Sequence, residues 1–193
     1  MAARRRESRA ALARRGALSV SVGTVPLREL NARDRAGFVA ACGPLFESSP
    51  WIAERTWERR PFPSREGLLR ALLATVEQAT EAEKVGLIAA HPDLVGRLAR
   101  EGRLTRESTA EQRAAGLDTL NAEEVALFER YNHVYRESFG FPFVICAREN
   151  RKEAILSAFP TRLEHSRGQE IATALAEIAK IARLRLLDAV TED

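Results

Sequence analysis

From about residue 27 onward, apolar positions recur at helical rather than strand spacing. Asn31 reads as the cap of a first helix carrying Phe38, Val39 and Ala41, with Gly43 at its end. Ser49-Pro50 reads as cap and first-turn proline of a short helix through Trp51 and Trp57. The Arg60-Pro61-Phe62-Pro63 stretch must be extended, because each proline restricts the residue before it. Ser64 then opens a helix with Leu68, Leu69, Leu72, Leu73 and Val76 on one side. Thr80-x-x-Glu83 has the spacing of a capping box and opens a helix that ends before His91-Pro92. Ser108-x-x-Glu111 has the same spacing, with Gly116 as a stop. Asn121 begins a helix through Val125, Phe128, Tyr131 and Tyr135 that ends near Gly140. Helices follow over about 151–164 and, longest of all, about 168–190. Only Phe141 to Ala147 reads as extended. The pattern predicts an all-α, single-domain helical bundle with one short extended segment near 141–147.

Charge changes this picture at one end. The formal net charge of +3 comes from residues 1–15, where Arg4, Arg5, Arg6, Arg9, Arg14 and Arg15 face only Glu7. The remainder holds 24 basic and 26 acidic residues, so the body carries about −2 and offers no cationic footprint for nucleic acid. Residues 1–25 are therefore expected to be a disordered Arg-rich extension, and residues 26–193 the helical domain. A second reading makes this tail an anchor for nucleic acid or an acidic membrane. No secretory apolar region follows the arginines, and no apolar run reaches the ~18–20 residues of a membrane span. The expected location is the cytoplasm. Cys42 and Cys146 lack a CxxC spacing, which leaves two buried thiols, or a single disulfide. His91, His133 and His165 form no metal-binding pattern.

Candidate chemistry is sparse. In the last helix, at about 100° per residue, Ile171, Leu175, Ile178, Ile181, Ala182 and Ala189 share a stripe. Arg185 lies near its middle, whereas Arg183 points away. A guanidinium on an apolar face needs an anion, either an internal carboxylate or a bound ligand. His91 is placed at a helix exit by Pro92 and titrates near neutral pH, but a lone histidine carries little by itself. Ser108 and Glu111 satisfy a capping pattern that is also a polar-ligand site when its N–H groups are free. His133 and His165 fall off the apolar stripes and should be solvated, while Trp51, Trp57 and Phe62 should pack the core or an interface.

Several segments taken together resemble a known family. They are Ser48-Ser49-Pro50-Trp51 with Arg60-Pro61-Phe62; His91-Pro92-Asp93-Leu94 with Gly96-Arg97; Ser108-x-x-Glu111-Gln112; and Phe139-Gly140-Phe141-Pro142-Phe143-Val144-Ile145. An arginine-bearing last helix closes the series. In this order they are similar to the 2-oxo-4-hydroxy-4-carboxy-5-ureidoimidazoline (OHCU) decarboxylases of urate degradation, over about residues 28–190. The resemblance implies a helical, cofactor-independent carboxy-lyase, typically a homodimer, that converts a small ureidoimidazoline to (S)-allantoin and CO2. It implies catalytic roles for His91, Glu111 and Arg185. It also implies a substrate pocket lined by Pro92, Ser108, Glu111, Gln112, Phe143, Val144, Ile145, Cys146, Ala147 and Arg185. The alternative is a catalytically silent binding or regulatory module of the same fold, which would be expected to lack His91 or Glu111. Some relatives end in a peroxisomal tripeptide, but this sequence ends Thr191-Glu192-Asp193.

Overall fold

A computed structural model describes residues 24–192. Residues 1–23 of the extension expected over 1–25 lie outside the described residues, while Val25 at its end is paired in a strand. The described chain is all-α. Its helices are α1 (Leu27–Ala32), α2 (Arg35–Cys42), α3 (Trp51–Thr56), α4 (Arg65–Glu77), α5 (Glu81–Ala89), α6 (Arg97–Arg100), α7 (Arg106–Ala114), α8 (Ala122–Phe139), α9 (Lys152–Leu163) and α10 (Arg167–Ala189). Two residues at each end also pair as parallel strands, β1 (Val25–Pro26) with β2 (Val190–Thr191). Nothing in the hydrophobic pattern foretold this pairing, since two residues are too short to show a period of two.

The helix starts follow local side-chain chemistry. Ser64 caps α4 by accepting from the Gly67 amide at 3.0 Å. Full capping boxes open α5 (Thr80 with Glu83), α8 (Asn121 with Glu124) and α10 (Ser166 with Gln169). Gly140 stops α8 at φ +79°, a left-handed conformation that suits glycine.

Three expected caps are corrected. Asp34, not Asn31, caps α2 by accepting from Gly37. Asn31 instead lies in α1, where its amide donates to the Phe62 carbonyl and accepts from the Phe62 amide, both at 2.9 Å. It thereby clamps the extended Arg60–Pro63 stretch, whose Arg60–Pro61 peptide is cis. Pro50 itself precedes α3, with no side-chain cap. Thr105, not Ser108, caps α7, so Ser108 sits inside the first turn with its side chain free for other work.

Helix α10 runs through the middle of the fold, against α4, α5 and the 3-10 turn Gly43–Leu45. Its buried face is Glu170, Ala174, Ile178, Ile181, Ala182, Arg185 and Leu186. This face is rotated slightly from the predicted stripe, leaving Ile171, Leu175 and Ala189 only half-buried. An aromatic cluster fills the other end. Phe143 stacks on Phe159 at 3.9 Å, and Tyr135 sits edge-on to Phe141, Phe143 and Phe159. Phe62 joins the core, whereas Trp51 and Trp57 are half-buried beneath the guanidinium groups of Arg55 and Arg60. Cys42 and Cys146 are both buried free thiols. Burial pushes their pKa values up to about 12 and about 11, which keeps them unreactive.

Candidate active site

The C-terminal end of α5 delivers His91 to the interior, where it is only 7% exposed. Its Nδ1 donates to the Leu87 carbonyl at 2.9 Å, one turn back. A carbonyl only accepts, so this bond fixes the tautomer and leaves Nε2 as the ring's second polar atom. Burial is the main force on the imidazole and lowers its pKa. Arg185 pushes in the same direction, while the Leu87 bond and the charge of Glu47 oppose them.

The loop after His91 is held rigidly. The Val95 amide donates to Gln112 Oε1 at 3.1 Å, and Asn132 donates to the Leu94 carbonyl at 2.8 Å. Val95 adopts φ +56°, a strained value for a β-branched residue. Glycine at 96 keeps this turn tight, because a Cβ there would meet the Asp93 Cβ at 2.7 Å and force the loop to shift. Asp93 is tied in turn to Arg136 of α8 at 2.9 Å.

Opposite His91, α7 presents Ser108, Glu111 and Gln112, and α10 presents Arg185. Arg185 is 6% exposed and its guanidinium is encircled. Nε and Nη2 grip Glu111 as a fork, each at 2.7 Å. Nη1 donates to the Pro44 carbonyl at 3.1 Å. Nη1 and Nη2 both reach Glu47 Oε2 at 3.3 Å. Nη2 also approaches Ser108 Oγ at 3.4 Å. Of the two alternatives for this cation, internal carboxylates account for the described geometry. Burial alone would lower its pKa, but the bonds and charges of Glu111 and Glu47 outweigh burial and raise it. Arg183 points outward and pairs with Glu149 at 3.1 Å.

The third wall is the extended segment. Phe143, Val144, Ile145 and Ala147 line the same pocket as His91, Pro92, Ser108, Glu111, Gln112 and Arg185. Leu94 and Ile181 complete it and were not foreseen. Cys146 does not line the pocket; its amide donates to Glu177 at 2.8 Å and its carbonyl accepts from Asn150 at 3.0 Å. Arg162 holds the segment from behind, donating to the Val144 carbonyl at 2.6 Å with its guanidinium 4.2 Å from the Phe143 ring. Arg162 is paired with the fully buried Glu170, which also takes the Tyr135 hydroxyl. His165, expected to be solvated, bonds the same carboxylate at 2.8 Å. His133 is exposed as expected.

Two buried acids of this architecture also escaped the sequence reading. Glu47 sits in a loop, where no periodicity exposes a buried acid. Glu170 occupies the first turn of a helix, where an acid ordinarily needs no explanation beyond the helix dipole. Among the described residues no three metal-binding side chains gather, and no helix is long and apolar enough to cross a membrane.

Comparison with known proteins points the same way. The OHCU decarboxylase of Halalkalicoccus jeotgali is 41% identical over 83% of this chain and 89% of that protein. A crystal structure of (S)-allantoin synthase superposes with a TM-score of 0.69 at 26% identity, covering 86% of this chain and 54% of that one. An OHCU decarboxylase crystallised in the presence of (S)-allantoin shares the fold, with a TM-score of 0.61 at 21% identity over 80% of this chain and 96% of that one. The family model for OHCU decarboxylase matches residues 31–187, and the chain belongs to that family.

Proposed function

We propose that this protein decarboxylates 2-oxo-4-hydroxy-4-carboxy-5-ureidoimidazoline to (S)-allantoin and CO2, as a step of urate breakdown, with His91 as the proton carrier. The observation that carries this reading is the buried neutral His91, with Nδ1 committed to Leu87, in a pocket shared with Glu111, Ser108 and Arg185. As named, the substrate carries hydroxyl and carboxyl on one ring carbon and the ureido group on the next. When CO2 leaves, its bonding electrons pass into the ring C=N unit. The ring nitrogen that receives them takes up one proton, from the substrate's own carboxyl group or from solvent. The hydroxyl must then lose a proton to become the carbonyl of allantoin, and the ureido-bearing carbon must gain one. A neutral Nε2 can take the hydroxyl proton and deliver the one to carbon from one face, which yields one enantiomer. The chemistry is balanced without a redox partner, so no cofactor is invoked.

Glu111, oriented by the Arg185 fork, accepts from ureido or ring N–H groups. Ser108 and Gln112 add polar contacts beside it. Phe143 and Ile145 cover the planar heterocycle, and Pro92 closes the pocket edge. Arg185 acts by fixing Glu111 rather than by offering an open fork. The presence of both His91 and Glu111 at the pocket removes the feature that would favour a silent module. A homodimer and a cytoplasmic location are part of the same reading.

The test is a coupled assay in which urate oxidase and hydroxyisourate hydrolase generate the short-lived substrate. Circular dichroism then follows enantiopure allantoin. The wild-type protein should accelerate its formation, and His91→Asn should not. Enantiopure product at the wild-type rate from His91→Asn would remove His91 from the mechanism.

A further inference from the structure

Glu47 is 6% exposed, yet it lies in the turn between α2 and α3 and does not line the pocket. Its neighbour Ser48 holds φ +44°, so the backbone is bent to aim this acid inward. Every partner of its Oε2 belongs to the opposite wall of the site. Ser108 Oγ donates to it at 3.0 Å, Thr105 Oγ1 at 3.4 Å, and Arg185 from both Nη1 and Nη2 at 3.3 Å.

We infer that Glu47 is a positioning residue of the active site, which locks the Ser108 hydroxyl and the Arg185–Glu111 pair in their working orientations and completes the charge set around His91. This rests on the decarboxylase reading given above and adds a residue to it.

Three consequences follow from the bonds. Glu111 occupies the Nε–Nη2 edge of Arg185, and Glu47 occupies the Nη1–Nη2 edge, so the guanidinium cannot roll. The plane of the Glu111 carboxylate is fixed with it. Second, Ser108 spends its only proton on Glu47 and therefore faces the pocket as an acceptor, matched to a ligand rich in N–H groups. Third, two carboxylates surround one guanidinium, leaving the wall one negative charge in excess. That excess favours the imidazolium that forms while His91 carries the proton. The charged groups facing His91 are Glu47 from the α2–α3 turn, Arg185 from α10 and, across the pocket, Glu111 from α7.

The test compares Glu47→Gln and Glu47→Asp with wild type in the coupled assay and in a histidine NMR titration. With only three histidines in the chain, His91 can be assigned by its Asn variant. For Glu47→Gln we expect kcat to fall roughly 10-fold to 100-fold, more than KM changes. Loss of the negative charge lowers the His91 pKa further, so the acid limb of the rate profile should move to lower pH even as the plateau drops. Glu47→Asp should restore part of the rate and return the titration toward wild type. A wild-type rate and unmoved titration in Glu47→Gln overturns the proposal. So does a lost rate with an unmoved titration and no rescue by Asp, which is the result of a merely structural role. Should Glu47→Gln fail to fold, Glu47→Asp decides by the same two readouts, its intermediate rate and titration supporting and their equality with wild type opposing. The titration needs no substrate, so if the wild-type protein proves inactive the decarboxylase reading fails while Glu47 is still judged on His91.

Discussion

At the residue scale, the site is built from groups that are costly to bury and are therefore individually testable. His91 folds neutral with its pKa lowered, chiefly by burial. The unfolded chain takes up its proton near the ordinary histidine value of about 6.5. The stability His91 contributes is thus full above that pH and is lost as pH falls toward the lower, folded-state value. His91→Asn should flatten the fall in melting temperature between pH 7.5 and pH 5; an unchanged slope would contradict the burial argument. Arg185 and Arg183 offer a sharper contrast. Arg185→Ala leaves Glu111 and Glu47 facing one another without a cation. Loss of one partner of a buried pair costs about 3–5 kcal/mol, and activity should go with it. Arg183→Ala removes one exposed pair with Glu149 and should change stability by less than about 0.5 kcal/mol. Denaturant melts and the coupled assay check both, and equal losses would undo the assignment from helical phase. That assignment was legible because a helix has a fixed period. Glu47 had no such signal, since a loop residue's direction depends on a turn that only the fold defines.

Elements show where local pattern misleads. Ser108-x-x-Glu111 has capping-box spacing, yet Thr105 does the capping and the pair faces the pocket. The spacing is the same because residues three apart share a helix face in either role. The longer helices α4, α5, α8, α9 and α10, their Asn121 and Thr80 starts, and the non-helical wall up to Cys146 were readable from local preference, whereas the short α1 and α6 and the 3-10 turn that begins at Ala147 were not. The tether behind that wall was not: Arg162, Glu170, Tyr135 and His165 come from three separate helix regions and meet only in three dimensions. This buried network fixes Phe143 and Val144, so it should influence substrate affinity without touching the ligand. Glu170→Gln leaves Arg162 with a neutral partner in the interior. Stability should fall by about 3 kcal/mol or more, and KM should rise as the wall loosens. Guanidinium melts read the first and the coupled assay the second. Loss of stability with an unchanged KM would show that the wall is held by aromatic stacking alone.

For the whole molecule, the question is what the Arg-rich segment contributes to the domain beside it. Every wall of the site lies between Pro44 and Arg185, and the described fold closes on itself through β1 and β2, with Val25 opposite Val190. That pairing, together with the Arg65 guanidinium on the Val190 carbonyl at 3.0 Å, anchors the end of α10 only five residues beyond Arg185. Leu27 and Leu30 of α1 are buried immediately after β1. Removal of residues 1–23 keeps every described wall of the site, so kcat and KM should stay within about twofold and the melting temperature within a few degrees. Removal of residues 1–30 takes β1, Leu27 and Leu30 with it. It should lower stability by several kcal/mol, at about 2–5 for each buried leucine truncated, and raise KM by freeing the end of α10. If the arginines anchor the protein to a polyanion, both deletions should lose salt-dependent retention on DNA or acidic vesicles, the shorter one with catalysis intact. A kcat that collapses on loss of residues 1–23 alone would mean that the tail completes the site, and the pocket described between α5, α7 and α10 would then be only part of the catalytic unit.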